Sequence, residues 1–151
     1  MSIWRGHTTG CLWFYFHGDL TEADWDAYME HLELHTRLEG ALTETSMIIS
    51  YRSGSPTPTM RRRVADFMRD RQAVLAHLKG NAMVADSAVA RGTLIAVNWL
   101  FKKPFDERVF PEPRAALRWV EEISEVARAD EIWREIARAV PAGALWPDVG
   151  S

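Results

Sequence analysis

Cysteine is nearly missing from this chain: Cys11 is the only one in 151 residues. That excludes an internal disulfide and any zinc site built from cysteines. Long hydrophobic runs are missing too. The best candidate is interrupted by Arg91 and Asn98 before it reaches the roughly 18–20 residues that span a bilayer. A secretion leader is not expected, because Arg5 and His7 stand where its apolar region would lie. Neither a phosphate-binding P-loop nor a dinucleotide-binding glycine fingerprint occurs, and there is no internal repeat or domain linker. The expectation is a cytoplasmic, reduced domain without a transmembrane segment.

What is present is ordinary globular material. Hydrophobic residues make up 47% and charged residues 26% of the chain, enough for one domain with a sizeable core. A formal net charge of −3 argues against a nucleic-acid partner bound over the whole surface. The seven tryptophans are read as core filling.

Hydrophobic periodicity orders the elements. Ser2–His7 and the aromatic run Cys11–His17 read as a leading hairpin around Thr9-Gly10, with the second strand buried on both faces. Thr21 and Asp24 mark a capping-box-like start for an amphipathic helix to Leu38. Thr45–Tyr51 is the next strand. A hydroxyl- and proline-rich loop, Ser53–Thr59, then leads into a helix from Pro58 to about Leu78, with Thr57 as its cap and Lys79-Gly80-Asn81 as its stop. Ala82–Ala85 is a short strand and Asp86-Ser87 caps a helix from about Ala88 to Phe101. Glu107–Phe110 is the last strand. Residues 112–140 are helical, as one bent helix or two, and the tail from Pro141 looks loose, though Leu145 and Trp146 could dock. This alternation implies an α/β fold, a mostly parallel sheet of four or five strands with helices packed on it. Residues 1–128 form that domain, and 129–151 add a C-terminal helix and tail packed on it or extending from it.

The segments "YFHGDLTEADW", "NAMVADSAVARG" and "DERVFPEPRAALRWV" resemble the STAS superfamily in its SpoIIAA-like branch, which borders on Sec14-type lipid-binding domains. The resemblance spans roughly residues 8–122 and rests on structural signatures. It implies a binding or switch module rather than an enzyme. In the best-known member a serine at a helix start after a strand is phosphorylated, within an Asp-Ser-Ser-Gly type pattern. The corresponding loop here is Ser50–Thr59, where Arg52-Ser53-Gly54-Ser55 stands in place of that pattern.

That loop carries the most unusual chemistry. Arg52, Arg61, Arg62, Arg63, Arg69 and Arg71 face only Asp66 and Asp70 nearby in sequence, a local charge of +4 on an acidic protein. Arginines in a first helical turn oppose the helix dipole, an effect that a bound anion would reverse. Arg52, Ser53, Gly54, Ser55, Thr57, Thr59, Arg61, Arg62 and Arg63 are therefore the candidate surface for a protein partner or an anion. Ser53, Ser55, Thr57 and Thr59 are candidate phosphoacceptors. The bland alternative is a solvated basic face beside a rigid turn.

A second reading uses the strongly apolar helix after Ser87. Leu94, Val97, Trp99 and Phe101 would wall a pocket for a small apolar ligand or lipid whose anionic headgroup meets the arginines, or would close a homodimer. His31 and His35 have the i, i+4 spacing of a metal pair, but His7, His17 and His77 are isolated in sequence, so no metal or cofactor is expected. Asp86-Ser87 resembles a nucleophile position without a glycine elbow or partner histidine, and no enzymatic activity is expected.

Overall fold

The computed structural model describes residues 2–37, 44–54, 56–100 and 103–149, the side chains of 37 and 96–100 excepted. Five strands form one sheet in the order β1-β2-β3-β4-β5: Ile3–Thr8, Cys11–Gly18, Thr45–Ser53, Gly80–Ala85 and Asp106–Phe110. β1 is antiparallel to β2, and every other neighbour is parallel. The β1–β2 turn passes through Gly10, whose φ of +82° suits glycine. A side chain there would also meet Val126 Cγ2 at 2.8 Å. The helices are α1 (Glu22–Arg37), α2 (Pro58–Asp70), α3 (Gln72–Leu75), α4 (Ala88–Leu100), α5 (Pro113–Ile123) and α6 (Ala129–Ala139).

Three successive parallel crossovers step in one direction across the sheet. Their constant hand puts α1, α2 and α4 on one face and leaves the other to α5 and α6. The period of two in a strand then divides the aromatic run of β2 between two cores. Cys11, Trp13 and Tyr15 join Met47, Ile49, Leu117, Val120, Ile132 and Ile136 beneath α5 and α6. Leu12, Phe14 and Phe16 join Trp25, Tyr28, Met29, Met60 and Phe67 beneath α1 and α2.

The expected helix starts are present. The Asp24 N–H donates to Thr21 Oγ1 at 3.1 Å, and the Thr21 N–H donates back to Asp24 Oδ2 at 2.9 Å, a reciprocal cap. Thr57 Oγ1 accepts from the Met60 N–H at 3.2 Å.

Three expectations change and one open alternative is decided. The helix from Pro58 breaks at Arg71 (φ −119°, ψ 21°), where the guanidinium leaves the helix line to pair with Glu33 on α1 at 3.2 Å. β4 begins at Gly80, not Ala82, because the Asn81 side chain is satisfied by both flanking strands: it accepts from Ser46 and donates to Glu107. Residues 112–140 are two helices. Between them Ser124 Oγ accepts from the Val126 and Ala127 N–H groups, and Glu44 accepts from Ser124 and the Glu125 N–H. The tail is tied down, since the Tyr15 hydroxyl donates to the Ala144 carbonyl at 2.7 Å and Trp146 packs on Tyr51 with ring centroids 5.0 Å apart.

Candidate functional site

Ligands of parallel α/β sheets are commonly met at the carboxyl ends of the strands. Here those ends carry the loop from β3 to α2 and the turn from β4 to α4. Arg52 leaves β3 in the left-handed region at φ +50°, which non-glycine residues adopt rarely and which marks local strain. It is held there from two sides. Its N–H donates to Asp86 Oδ1 at 3.1 Å, and its guanidinium lies 5.1 Å over the Tyr51 ring. Tyr51 also stacks on His17 at 5.6 Å, and His17 Nδ1 lies 2.9 Å from the Tyr51 carbonyl oxygen. Asp86 thus ties two loops together, while Ser87 alone serves as the cap, accepting from the Ala90 N–H at 3.3 Å.

The rest of the loop is partly committed. Ser53 pairs with Ser50 through their hydroxyls, and the Thr57 hydroxyl is used in capping α2. Gly54 and Thr59 are exposed. Ser55, among the candidate phosphoacceptors, lies outside the described residues.

The six arginines do not form the single basic patch their sequence suggests. Arg63 pairs with Asp26 on α1 at 2.7 Å, Arg69 with Asp66 at 2.6 Å and Arg71 with Glu33 at 3.2 Å. Exposed ion pairs of this kind add little stability, but each cancels a charge. The groove between α1 and α2 is in fact acidic, with Asp26, Glu30, Glu33, Asp66 and Asp70 against Arg63 and Arg71. The acidic residues 26, 30 and 33 recur at helical spacing on α1, a signal that becomes readable only once α1 is known to lie beside α2. Arg61 donates to the Pro56 carbonyl at 3.3 Å and steadies the loop. Arg52, Arg61 and Arg62 remain exposed, and none has a carboxylate salt bridge among the described residues.

The expected pocket wall is only partly visible. Leu94 is half-buried, whereas Phe101 and the side chains of Val97 and Trp99 lie outside what is described. An apolar cavity of about 90 Å³ lies elsewhere, between α1, α2, α3 and the sheet, toward the amino ends of the parallel strands. Leu94 does not line it. On the outer side of α4, Val89 is 80% and Ile95 48% exposed.

His31 and His35 stand on α1 as expected, but His7 is not isolated: its ring lies 6.2 Å from that of His35 across the β1–α1 gap. No three acidic, histidine or cysteine side chains among the described residues are arranged to hold a metal. The pKa of His31 is held below the ordinary histidine value by burial and then by Arg5. That of His35 is lowered by burial, His7, Arg5 and His31 in turn. Burial pushes the Cys11 thiol up to about 12, which makes it a core residue without nucleophilic character. Among the described residues no helix is long and apolar enough to cross a membrane.

Neither a protein-family model nor a curated protein sequence matches the chain. A solved structure does: an uncharacterized protein of the DUF3478 family from Shewanella loihica, with a SpoIIAA-like fold. It is 17% identical and superposes with a TM-score of 0.57, over 78% of this chain and 91% of that one. Identity at this level speaks to fold alone. The mixed five-stranded sheet, its helices and the C-terminal helix together make this chain a single α/β domain of SpoIIAA-like fold.

Proposed function

We propose that this domain is a non-enzymatic interaction module. It docks a protein partner bearing an acidic patch through the loop 53–59 and the first turn of α2. The observation that carries this reading is the selective pairing of the arginines. Arg63, Arg69 and Arg71 are neutralised within the fold. Arg52, Arg61 and Arg62 stay exposed without a carboxylate salt bridge among the described residues, at one end of the sheet. Arg52 and Arg61 are further held by contacts that cost the guanidinium charge nothing, so less freedom is lost when a partner binds. Charge complementarity of this kind steers association and selects partners more than it adds affinity.

Two further features support a module without chemistry of its own. Asp86 and Ser87, the residues placed most like a nucleophile site, both accept backbone N–H groups. The lone thiol is buried and protonated, which suits a reducing, cytoplasmic setting.

Affinity capture from a lysate of the source cells, followed by mass spectrometry, tests the reading. The triple variant Arg52→Gln/Arg61→Gln/Arg62→Gln is compared with Arg63→Gln/Arg69→Gln/Arg71→Gln. The first should lose a salt-sensitive partner at an unchanged thermal midpoint, and the second should keep it. Equal capture by both variants would overturn the assignment to this surface.

A further inference from the structure

Strand β1 and helix α1 bring four basic side chains together at one edge of the sheet. The period of two along β1 puts Ile3, Arg5 and His7 on the face that α1 covers, while Trp4 packs into the other core. α1 runs alongside β1 in the same direction, because both run opposite to β2. Rise per residue then matches the two elements: His31 and His35 are about 6 Å apart along the helix, and Arg5 and His7 about 7 Å along the strand. The His7 and His35 ring centroids are 6.2 Å apart, so Arg5 stands opposite His31. Four groups that carry or can take up positive charge therefore mark the corners of one small frame.

Such a frame is unfavourable while it is empty. Arg5 is exposed and has no carboxylate salt bridge among the described residues. His31 Nδ1 is buried without a hydrogen-bond partner among them, although buried polar atoms are normally satisfied. Burial opposes protonation first at both helix histidines, followed by Arg5 at His31 and by His7, Arg5 and His31 at His35. Glu30 acts the other way on His31, and the cavity wall that His35 shares with Leu12, Leu75 and Leu78 holds no other charged group. A metal ion would relieve none of this, because Arg5 repels any cation. An anion reverses the sign at every corner.

We propose that the β1–α1 edge binds a phosphate or sulfate group, with Arg5 as the permanent cation and His7, His31 and His35 as donors that gain protons when it enters. A tetrahedral oxyanion between the two elements has oxygens for both, at charge-assisted hydrogen-bond distances of about 2.7–2.9 Å. A carboxylate, flat and singly charged, satisfies fewer corners. Because binding takes up protons, acid favours occupancy. The site lies toward the amino ends of the parallel strands, where His7 is level with Leu12 and Ser46. It is therefore separate from the loop 53–59 at their carboxyl ends.

Calorimetric titration of the intact chain with sulfate, whose charge is constant over the range, tests this at fixed ionic strength in chloride. Histidine side-chain NMR locates the ion. Affinity should rise about tenfold from about pH 8 to about pH 6, the scale of one proton taken up. The side-chain signals of His7, His31 and His35 should shift to saturation. Arg5→Gln should weaken binding at least about tenfold at both pH values, the scale of one charge-assisted hydrogen bond. His31→Gln/His35→Gln should remove most of the pH dependence, and Glu30→Gln should strengthen binding. Circular dichroism verifies folding of each variant; if the double variant does not fold, the exposed Arg5→Gln carries the test. Glycerol phosphate binding more tightly than inorganic phosphate assigns an esterified ligand, and equal binding assigns the free ion. No saturable shift at these histidines, shifts confined to the loop 53–59, equal sulfate affinity at both pH values, or wild-type affinity in Arg5→Gln would each overturn the proposal.

Discussion

The two faces of the sheet are built to different standards. Beneath α5 and α6 the core is nearly seamless: Trp13, Tyr15, Met47, Ile49, Val120, Ile132 and Ile136 are fully buried, and the C-terminal tail closes over them. Beneath α1 and α2 the packing is looser. A cavity interrupts the contact there, and the helices meet partly through ion pairs such as Arg63–Asp26. Close-packed interiors tolerate little change in volume, whereas a face with free space can give way. The candidate surfaces for engagement belong to the looser face or to its end of the strands. The tighter face supplies the rigidity against which they are held.

Substitutions can break or sharpen that contrast. Ile136→Ala should lower unfolding free energy by about 2–5 kcal/mol in urea denaturation, because the buried α6 stripe cannot collapse into the space left. Leu32→Ala on the opposite face should cost less than half as much; equal losses would show that the two faces are equally well packed. Helix caps form the next rank. Glu112 accepts from both the Arg114 and Ala115 N–H groups at 2.7 Å, whereas Thr57 accepts one at 3.2 Å. Glu112→Ala should therefore exceed Thr57→Ala, each near about 1 kcal/mol, in the same assay.

A pH series probes the looser face alone. His31 and His35 have folded-state pKa values below the unfolded one, chiefly through burial, with Arg5 at both and His7 at His35 also opposing protonation and Glu30 favouring it at His31. The unfolded chain then takes up protons first as pH falls. Stability is full above the ordinary histidine value of about 6.5 and declines below it, toward the lowered folded values. His31→Gln/His35→Gln should flatten the urea midpoint between about pH 7.5 and about pH 5.5. The smallest effect is expected at the surface. Arg63→Gln should change stability by no more than about 1 kcal/mol, because its pair with Asp26 is substantially exposed.

Much of the fold was legible because its signals are local. The aromatic run of β2, the Thr21/Asp24 cap, Pro58 at a helix start and the alternation of strand and helix each act within a few residues. The misreadings share a cause. Asn81 looks like a loop residue until Ser46 and Glu107 are seen on either side of it. Arg71 fits a continuing helix until Glu33 draws it aside, and the tail looks loose until Tyr15 and Tyr51 receive it. The site was legible in the same uneven way. Its residues were named, but the arginines could not be divided into paired and unpaired ones, because their partners Asp26 and Glu33 lie more than thirty residues away in sequence.

The sequence by itself determined the α/β alternation, the hairpin and the main helix starts, since periodicity, capping and backbone geometry are properties of short segments. Tertiary structure alone decided which charges cancel, where space was left in the core and how two faces of one sheet came to differ. Those are outcomes of contact between distant segments. Of the six arginines between Arg52 and Arg71, three therefore stand without a carboxylate salt bridge among the described residues, and the other three hold α1 or their own helix.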